Sequence, residues 1–262
     1  MKPLASLERA EAKGLVGILF DLDDTFLDEG ALTEGAYAAL FRLSRAGFRL
    51  VAVTGRPAGY GEVMARQWPV DAVVTENGAI ALYREGKAIV RWQTADPATR
   101  KSRRDRLSGG LAALQKQFEA VRASDDSHAR ESDLAVDIGE AQHIPADEVA
   151  RIEAAARALG FRTFVSSVHL HLTLDPYDKA TGTIAFLRHR FQEDPTSARH
   201  RYAYIGDSAN DAPCFFAFTT SFGVANLSAS LPRLSVPPRY LSWAMRGAGF
   251  AEIADALLAQ RR

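Results

Sequence analysis

Residues 15–25 read LVGILFDLDDT: an uncharged run that breaks abruptly into Asp21, Asp23 and Asp24, with Asp28 close behind. A short continuous apolar run marks a strand buried on both faces, as in the middle of a parallel sheet. Acids at its carboxyl end lie where open α/β sheets bind their ligands. Working outward, residues 34–46 carry Tyr37, Leu40, Phe41 and Leu43 at helical spacing, and Gly47 stops them. Residues 48–53, FRLVAV, predict a second strand that ends at Thr54-Gly55-Arg56, and Pro57 opens a further helix. VDAVV (70–74) predicts a third strand. This alternation with short links argues for a parallel α/β sheet.

Past residue 78 the pattern changes. AIALYREGKAIVRW (79–92) predicts a hairpin turning at Glu85-Gly86. Residues 94–108 are polar and basic, with Lys101, Arg103, Arg104 and Arg106, and read as a solvated helix face or linker. Residues 109–175 look like a second unit. In DLAVDIG (133–139) Leu134, Val136 and Ile138 share one face. A helix from Pro145 carries Val149, Ile152, Ala156 and Leu159 up to Gly160. VHLHLTL (168–174) alternates strictly, with His169, His171 and Thr173 opposite the apolar positions. This predicts a small α+β unit with one polar sheet face. The α/β pattern then resumes: a helix after Lys179, a strand RYAYI (201–205), a helix over 210–217, strands SFGVA (221–225) and YLSW (240–243), and a closing helix FAEIADALL. The expected fold is a doubly wound parallel α/β core, residues 1–91 and 179–262, with a smaller α+β domain, 92–178, inserted in it.

Composition agrees. Of 262 residues, 47% are hydrophobic and 24% charged, near the globular averages of roughly 45–50% and 25%. That excludes a disordered or collagen-like chain. Lys+Arg and Asp+Glu both number 32, so no net field draws the chain to nucleic acid or an anionic membrane. The one cysteine, Cys214, allows no intrachain disulfide; it reads as a packed core residue and fits a reducing cytoplasm. The N-terminal MKPLASLERAEAKG lacks the apolar stretch of a secretory signal. LVGILF falls far short of the roughly 20 residues that span a bilayer. A soluble cytoplasmic protein is expected.

Three strand ends carry polar clusters: Asp21-x-Asp23-x-Thr25, Thr54-Gly55-Arg56, and Gly206-Asp207-x-x-Asn210-Asp211. Asp21, Asp23, Asp207 and Asp211 would repel one another if gathered without a counter-charge. Hard oxygen ligands in a cleft suit Mg²⁺, which keeps waters for a phosphate oxygen. Lys179 opens a helix, where the macrodipole disfavours a cation; a bound phosphate and nearby carboxylates explain it better than helix stability. The Thr54 hydroxyl and the strand-end amides suit phosphate oxygens. A carboxylate, a metal, a lysine and a hydroxyl are the parts needed for phosphoryl transfer through an aspartyl-phosphate. A second carboxyl two residues on can protonate the leaving oxygen and then activate water. By composition alone, D-x-D-x-T arises in roughly one such chain in thirty; the joint pattern at successive strand ends is what carries the reading.

These residues resemble the haloacid dehalogenase superfamily of phosphohydrolases. FDLDDT looks like its first motif, VTGR its second, the Lys179 segment its third and IGDSAND its fourth. The insert between the second and third motifs, with TENGA (75–79), is similar to subfamily IIB, which contains many sugar-phosphate and sugar-acid-phosphate phosphatases. The resemblance implies a Rossmann-like core and an inserted cap. It implies Asp21 as nucleophile and Mg²⁺ ligand, and Asp23 as general acid/base binding Mg²⁺ through its carbonyl. Thr54, Gly55, Arg56 and Lys179 would hold the phosphate with Asn210 nearby; Asp207 would ligate Mg²⁺, and Asp211 would support the metal site or Lys179. Arg130 and Glu131 resemble substrate-contacting cap positions. Two departures stand out: Asp24 where the subfamily commonly has glycine, and Ala180 after Lys179, with Gly182 later.

The activity so implied is a Mg²⁺-dependent phosphatase of a small phosphorylated metabolite, a sugar phosphate or sugar-acid phosphate of the trehalose-, sucrose- or mannosylglycerate-phosphate type. No nucleic-acid or membrane partner is expected, and a homodimer is compatible with the sequence. Alternatives stay open. A phosphosugar mutase would use the same aspartyl-phosphate. A phospho-receiver or binding module would combine an acidic pair, Thr and Lys, but VAVTGR has no phosphoacceptor aspartate. Arg56 reads equally as a substrate ligand or a structural ion pair. His169 and His171 read as an exposed polar face or as groups covering the cleft.

Overall fold

A computed structural model describes residues 1–261. In chain order its strands are β1 (Lys2–Pro3), β2 (Gly17–Phe20), β3 (Arg49–Val53), β4 (Ala72–Thr75), β5 (Ile80–Glu85), β6 (Ala88–Gln93), β7 (Asp133–Asp137), β8 (Arg162–Val165), β9 (His169–Thr173), β10 (Tyr202–Gly206), β11 (Thr220–Gly223) and β12 (Tyr240–Leu241). Its α-helices are α1 (Arg9–Gly14), α2 (Glu34–Arg45), α3 (Ala58–Gln67), α4 (Pro97–Gln117), α5 (Ala146–Ala158), α6 (Lys179–Phe191), α7 (Pro195–Arg201), α8 (Ala212–Ala217) and α9 (Arg246–Arg261).

The uncharged run forms β2, buried throughout and placed between β10 and β3. The large sheet runs β1-β12-β11-β10-β2-β3-β4-β5-β6, parallel up to β4 and antiparallel through the hairpin β5–β6. Alternate residues of β2 serve opposite layers, as strand geometry dictates. Ile18 and Phe20 pack with Leu40 of α2 and Phe250 and Ile253 of α9; Leu19 packs with Phe186 and Leu187 of α6 and Phe215 of α8. Phe20, Phe26 and Phe250 meet at ring separations of 4.9–5.3 Å. Each such buried side chain contributes roughly 1.5–3 kcal/mol. Among the described residues no helix is long and apolar enough to cross a membrane.

The inserted cap is a second, antiparallel sheet, β7-β9-β8, backed by α4 and α5 over its own core of Leu107, Leu114, Val136, Ile152, Leu170 and others. The chain passes between the units at Thr94 and Asp175, whose side chains share a 2.8 Å hydrogen bond. Arg103 pairs with the same carboxylate at 3.0 Å, and Arg162 donates to the carbonyls of Asp175 and Tyr177.

Three expectations change here. Residues 94–108 are not a linker: from Pro97 they open α4, whose outer face, with Lys101 and Arg106, is exposed as expected, while its inner face is engaged. Asp96 caps α4 by accepting the Ala98 and Thr99 amides, Leu107 enters the cap core, and Arg104 donates to the Ser127 and Asp133 carbonyls. Arginine stems lie along the cap surface while their heads satisfy loop oxygens. The polar face of β7 and β9 is not open: His169, His171, Asp133 and Asp137 are all buried. Finally β8, α1 and α7 were not visible in the sequence, because β8 is a half-buried edge strand and α7 buries only Ala198.

Glycine is required where α6 meets the turn after β4. Gly78 has φ +104°, and a Cβ there would stand 2.3 Å from the Asp178 carbonyl oxygen. A Cβ on Gly182 would stand 2.2 Å from the Gly78 oxygen. Backbone meets backbone, and this contact sets the first turn of α6, including Lys179; Ala180 packs into the core instead. We expect Gly182→Ala to cost at least about 1–3 kcal/mol through overpacking. A melting curve unchanged from the wild type would show that the contact is not rigid.

Candidate active site

The carboxyl ends of β2, β3, β4 and β10 and the start of α6 converge on one cleft beneath the cap. Asp21 directly follows β2, its amide bonded to the Ile205 carbonyl of β10. Lys179 Nζ is 2.7 Å from Asp21 Oδ1 and 2.7 Å from Asp211 Oδ1, and all three side chains are buried. Asp211 is occupied on both oxygens. Oδ1 also accepts the Tyr204 hydroxyl at 2.6 Å, and Oδ2 accepts the amides of Asp207 and Ser208. Its work here is to hold Lys179 and the loop after β10. Asp207 accepts from the Thr25 hydroxyl at 2.9 Å and from Asn226 Nδ2 at 3.1 Å.

One carboxylate oxygen each from Asp21, Asp207 and Asp211 lie within 4.8 Å of one another. A single ammonium does not balance three buried carboxylates. Burial, opposed by Lys179 and reinforced by the charges of Asp211 and Asp23, pushes Asp21 up to about 8. Burial and the charges of Asp211 and Asp21 push Asp207 well above the usual carboxylate range. The site is short of positive charge and rich in hard oxygen, which is the donor set that fits a hard divalent cation.

Thr54 follows β3. Its hydroxyl accepts the Arg56 amide at 3.0 Å, which leaves the O–H free to donate. The Gly55 carbonyl accepts from Arg130 Nη1 at 2.9 Å. A Cβ on Gly55 would stand 2.7 Å from His171 Nε2, so glycine lets the cap sheet touch this loop. Asn77, also buried against Gly55, has no hydrogen-bond partner on either side-chain polar atom. Asn210 accepts from the Ser208 hydroxyl at 2.6 Å.

Arg56 does not extend as a free anion ligand. It grips Asp23 in bidentate fashion, at 2.8–3.1 Å, and its Nη2 also reaches Glu140 of the cap at 2.8 Å. Asp126 of the cap lies 3.9 Å from its Nη1. His169 and Arg56 hold the Glu140 carboxyl down to about 2. His169 Nε2 is 3.0 Å from Glu140, close enough to pair but off the hydrogen-bonding line.

Of the other cap candidates, His171 roofs Gly55, with Nδ1 2.9 Å from Asp133. Arg130 is buried and consumed by Asp126, Asp133 and Gly55. Glu131 lies outside the cleft, paired with Arg91 and Arg100. Glu76, which stands in the TENGA stretch but had no role assigned to it, and Asn226 and Arg246, which sequence reasoning did not single out, complete the junction. Glu76 accepts amides from Ala58 of the core and from Glu131, Ser132 and Asp133 of the cap. Burial and the Asp133 charge raise it to about 7 against those amides. Asn226 and Arg246 tie the loop after Asp24: Asn226 donates to the Asp24 carbonyl, and Arg246 pairs with Asp24, Asp28 and Glu29. Asn226 sits just beyond a strand end, the signal by which it could have been found.

His171 gives a pH prediction. Burial holds it down to about 4, against the pull of Asp133, from an ordinary value of 6.5. Its folded form is therefore neutral, and the unfolded chain binds the proton first as pH falls. Its contribution to stability is complete above about 6.5 and is lost towards 4. We expect the stability of the wild type relative to His171→Asn to shrink over that window. A pH-independent difference between the two melting curves would refute the assignment.

Between the units lies a polar cavity of about 420 Å³, walled by Asp23, Arg56, Glu140, Arg246 and the 24–30 loop. Residues 18–105 match the family model of haloacid dehalogenase-like hydrolases. No curated protein sequence matches the chain. Solved structures match across nearly the whole chain. Thermoplasma acidophilum 0175 has 17% identity and a TM-score of 0.70, covering 93% of this chain and 99% of that one. The sucrose-phosphatase of Synechocystis sp. PCC6803, solved with sucrose and phosphate, has 17% identity and a TM-score of 0.63, covering 93% and 98%. A sugar phosphatase of haloacid dehalogenase subclass IIB has 15% identity and a TM-score of 0.60, covering 93% and 98%. At these identities the likeness establishes the fold.

Proposed function

We propose that this chain, a haloacid dehalogenase-like hydrolase by family match and fold, is a Mg²⁺-dependent phosphatase acting on a small hydroxyl-rich phosphate monoester of the sugar-phosphate kind. The observation that carries the reading is the buried Lys179 bridging Asp21 and Asp211 beside Asp207, with Asp23 two residues from Asp21 at the cavity wall. Subclass and sucrose-phosphatase neighbours support the substrate class.

Asp21 is the nucleophile. Lys179 fixes Oδ1, so the carboxylate is oriented before substrate arrives. An Asp21 oxygen bonds to phosphorus as the ester P–O bond breaks, and the leaving alkoxide takes the proton of Asp23. Asp23, now a carboxylate, removes a proton from water; the water oxygen bonds to phosphorus, and Asp21 leaves as carboxylate with inorganic phosphate released. Arg56 aims Asp23 through both of its oxygens. The Thr54 hydroxyl and the third Lys179 N–H donate to phosphate oxygens. Asp21, Asp207 and the Asp23 carbonyl would hold the cation, with Asp211 bracing Lys179. When bound, Mg²⁺ would neutralise charge on the transferring phosphoryl group. The cap keeps bulk water from the phosphoryl group during its transfer to Asp21.

The test is phosphate release from hexose phosphates, disaccharide phosphates and one aryl phosphate, with Mg²⁺ and with excess chelator. Release is expected with Mg²⁺ and is expected to fall to background with chelator. Release that chelator leaves untouched would remove the cation from the reading, and no release from any ester would remove the phosphatase.

A further inference from the structure

We infer that the cleft selects against leaving groups that carry a second negative charge, so that the substrate is the phosphate ester of a neutral polyol and not of a sugar acid. The inference rests on the phosphatase reading and narrows it. Six charged side chains wall the cavity beside Asp23: the carboxylates Asp23, Asp24, Glu29 and Glu140, and the guanidiniums Arg56 and Arg246. Both guanidiniums already face carboxylates. Arg56 spends Nε and Nη2 on Asp23 and Nη2 also on Glu140, with Asp126 at 3.9 Å from Nη1. Arg246 faces Asp24 at 3.2 Å, Asp28 at 3.1 Å and Glu29 at 2.9 Å. Even with Asp23 protonated as the leaving-group acid, three carboxylates outnumber two committed cations.

A carboxylate on the leaving group would have to compete for guanidiniums that already face carboxylates, and bidentate arginine is what such recognition ordinarily uses. It would also sit among like charges, which interfaces use to reject wrong partners. Hydroxyls suit the same wall well: carboxylate oxygens accept O–H donors, and the Ser167 segment and Gly139 at the rim add small polar surface. The phosphate itself is served deeper in the cleft by Lys179, Thr54 and the cation site, so the rim charges fall on the leaving group.

The experiment compares kcat/KM for esters paired to differ chiefly by a carboxylate: glucitol 6-phosphate against 6-phosphogluconate, and glycerol 3-phosphate against 3-phosphoglycerate. At low ionic strength the neutral member of each pair is expected to lead by at least about tenfold, a ratio that contracts at about 0.5 M salt as the rim charges are screened. The double variant Asp28→Asn/Glu29→Gln frees part of Arg246 and is expected to lower the ratio at least about threefold, through the carboxylated member. Carboxylated esters cleaved as well as neutral ones would overturn the inference and leave the phosphatase standing. A preference that neither salt nor the double variant moves would overturn its electrostatic origin. If no ester is cleaved, the phosphatase reading fails and the inference falls with it.

Discussion

Asp21→Asn is expected to lower phosphate release at least about a thousandfold, the scale of losing a nucleophile, while the protein melts no lower than the wild type. Both halves follow from the site. The amide is neutral and cannot form the acyl phosphate. It is also nearly the same shape as the carboxylate, on a buried loop whose amide bond to Ile205 is backbone and stays. Asp21 is a destabilising charge in the fold: burial and its acidic neighbours push it up to about 8. Removing it leaves Lys179 still paired with Asp211 at 2.7 Å. Initial rates and a melting curve on the same sample test this. A variant holding more than about a tenth of the wild-type rate would end the nucleophile assignment, and a collapsed melting curve would show that Asp21 is structural.

Lys179→Met should do the reverse and damage both properties. Methionine fills much of the lysine's volume, so packing losses are small. What is lost is the charge that Asp21, Asp207 and Asp211 share. Stranding one side of a buried ion pair costs roughly 3–5 kcal/mol, which in a domain of this size lowers the melting temperature by about 10 °C. A divalent cation should restore part of the loss, because an ion bound only by the folded state stabilises it by mass action. Calorimetry with and without millimolar Mg²⁺ reads both effects. An unchanged melting temperature would mean that the carboxylates are not charged together and that the acidic site needs no counter-ion.

The core was legible because its signals are local. LVGILF has to be interior, and the acids after it have to be at the end of a strand. IGDSAND and VTGR sit at strand ends for the same reason, and the structure brings Asp21, Thr54, Lys179 and Asp207 into one cleft. What stayed hidden depends on partners far away in sequence. Nothing near Arg56 announces that it will grip Asp23 and a cap carboxylate at residue 140. Glu76 stands in the TENGA stretch, but nothing near it in sequence shows that it will cap the amides of residues 131–133. On α4 Lys101 and Arg106 are exposed as their pattern suggests, but Arg104 is not, because pattern reasoning counts charges and cannot see the carbonyls that receive it. His169 and His171 alternate correctly, yet whether a polar sheet face is wet or roofed depends on how the second unit lies on the first.

The position of β2 bears on how the polypeptide leaves the ribosome. One side of β2 is completed early by β3, about thirty residues downstream, but the other waits for β10, which follows the whole cap. Until then the nascent chain displays an apolar strand with an unpaired edge, the geometry that recruits other strands. Contacts so distant in sequence form slowly. The cap, with its own core of residues 107–172, can close in the meantime and carry the returning segment to within reach of β2 through the Thr94–Asp175 junction. The same arithmetic makes any product of premature termination before residue 202 a substrate for chaperones and proteases, since it ends without the strand that would cover its most adhesive surface.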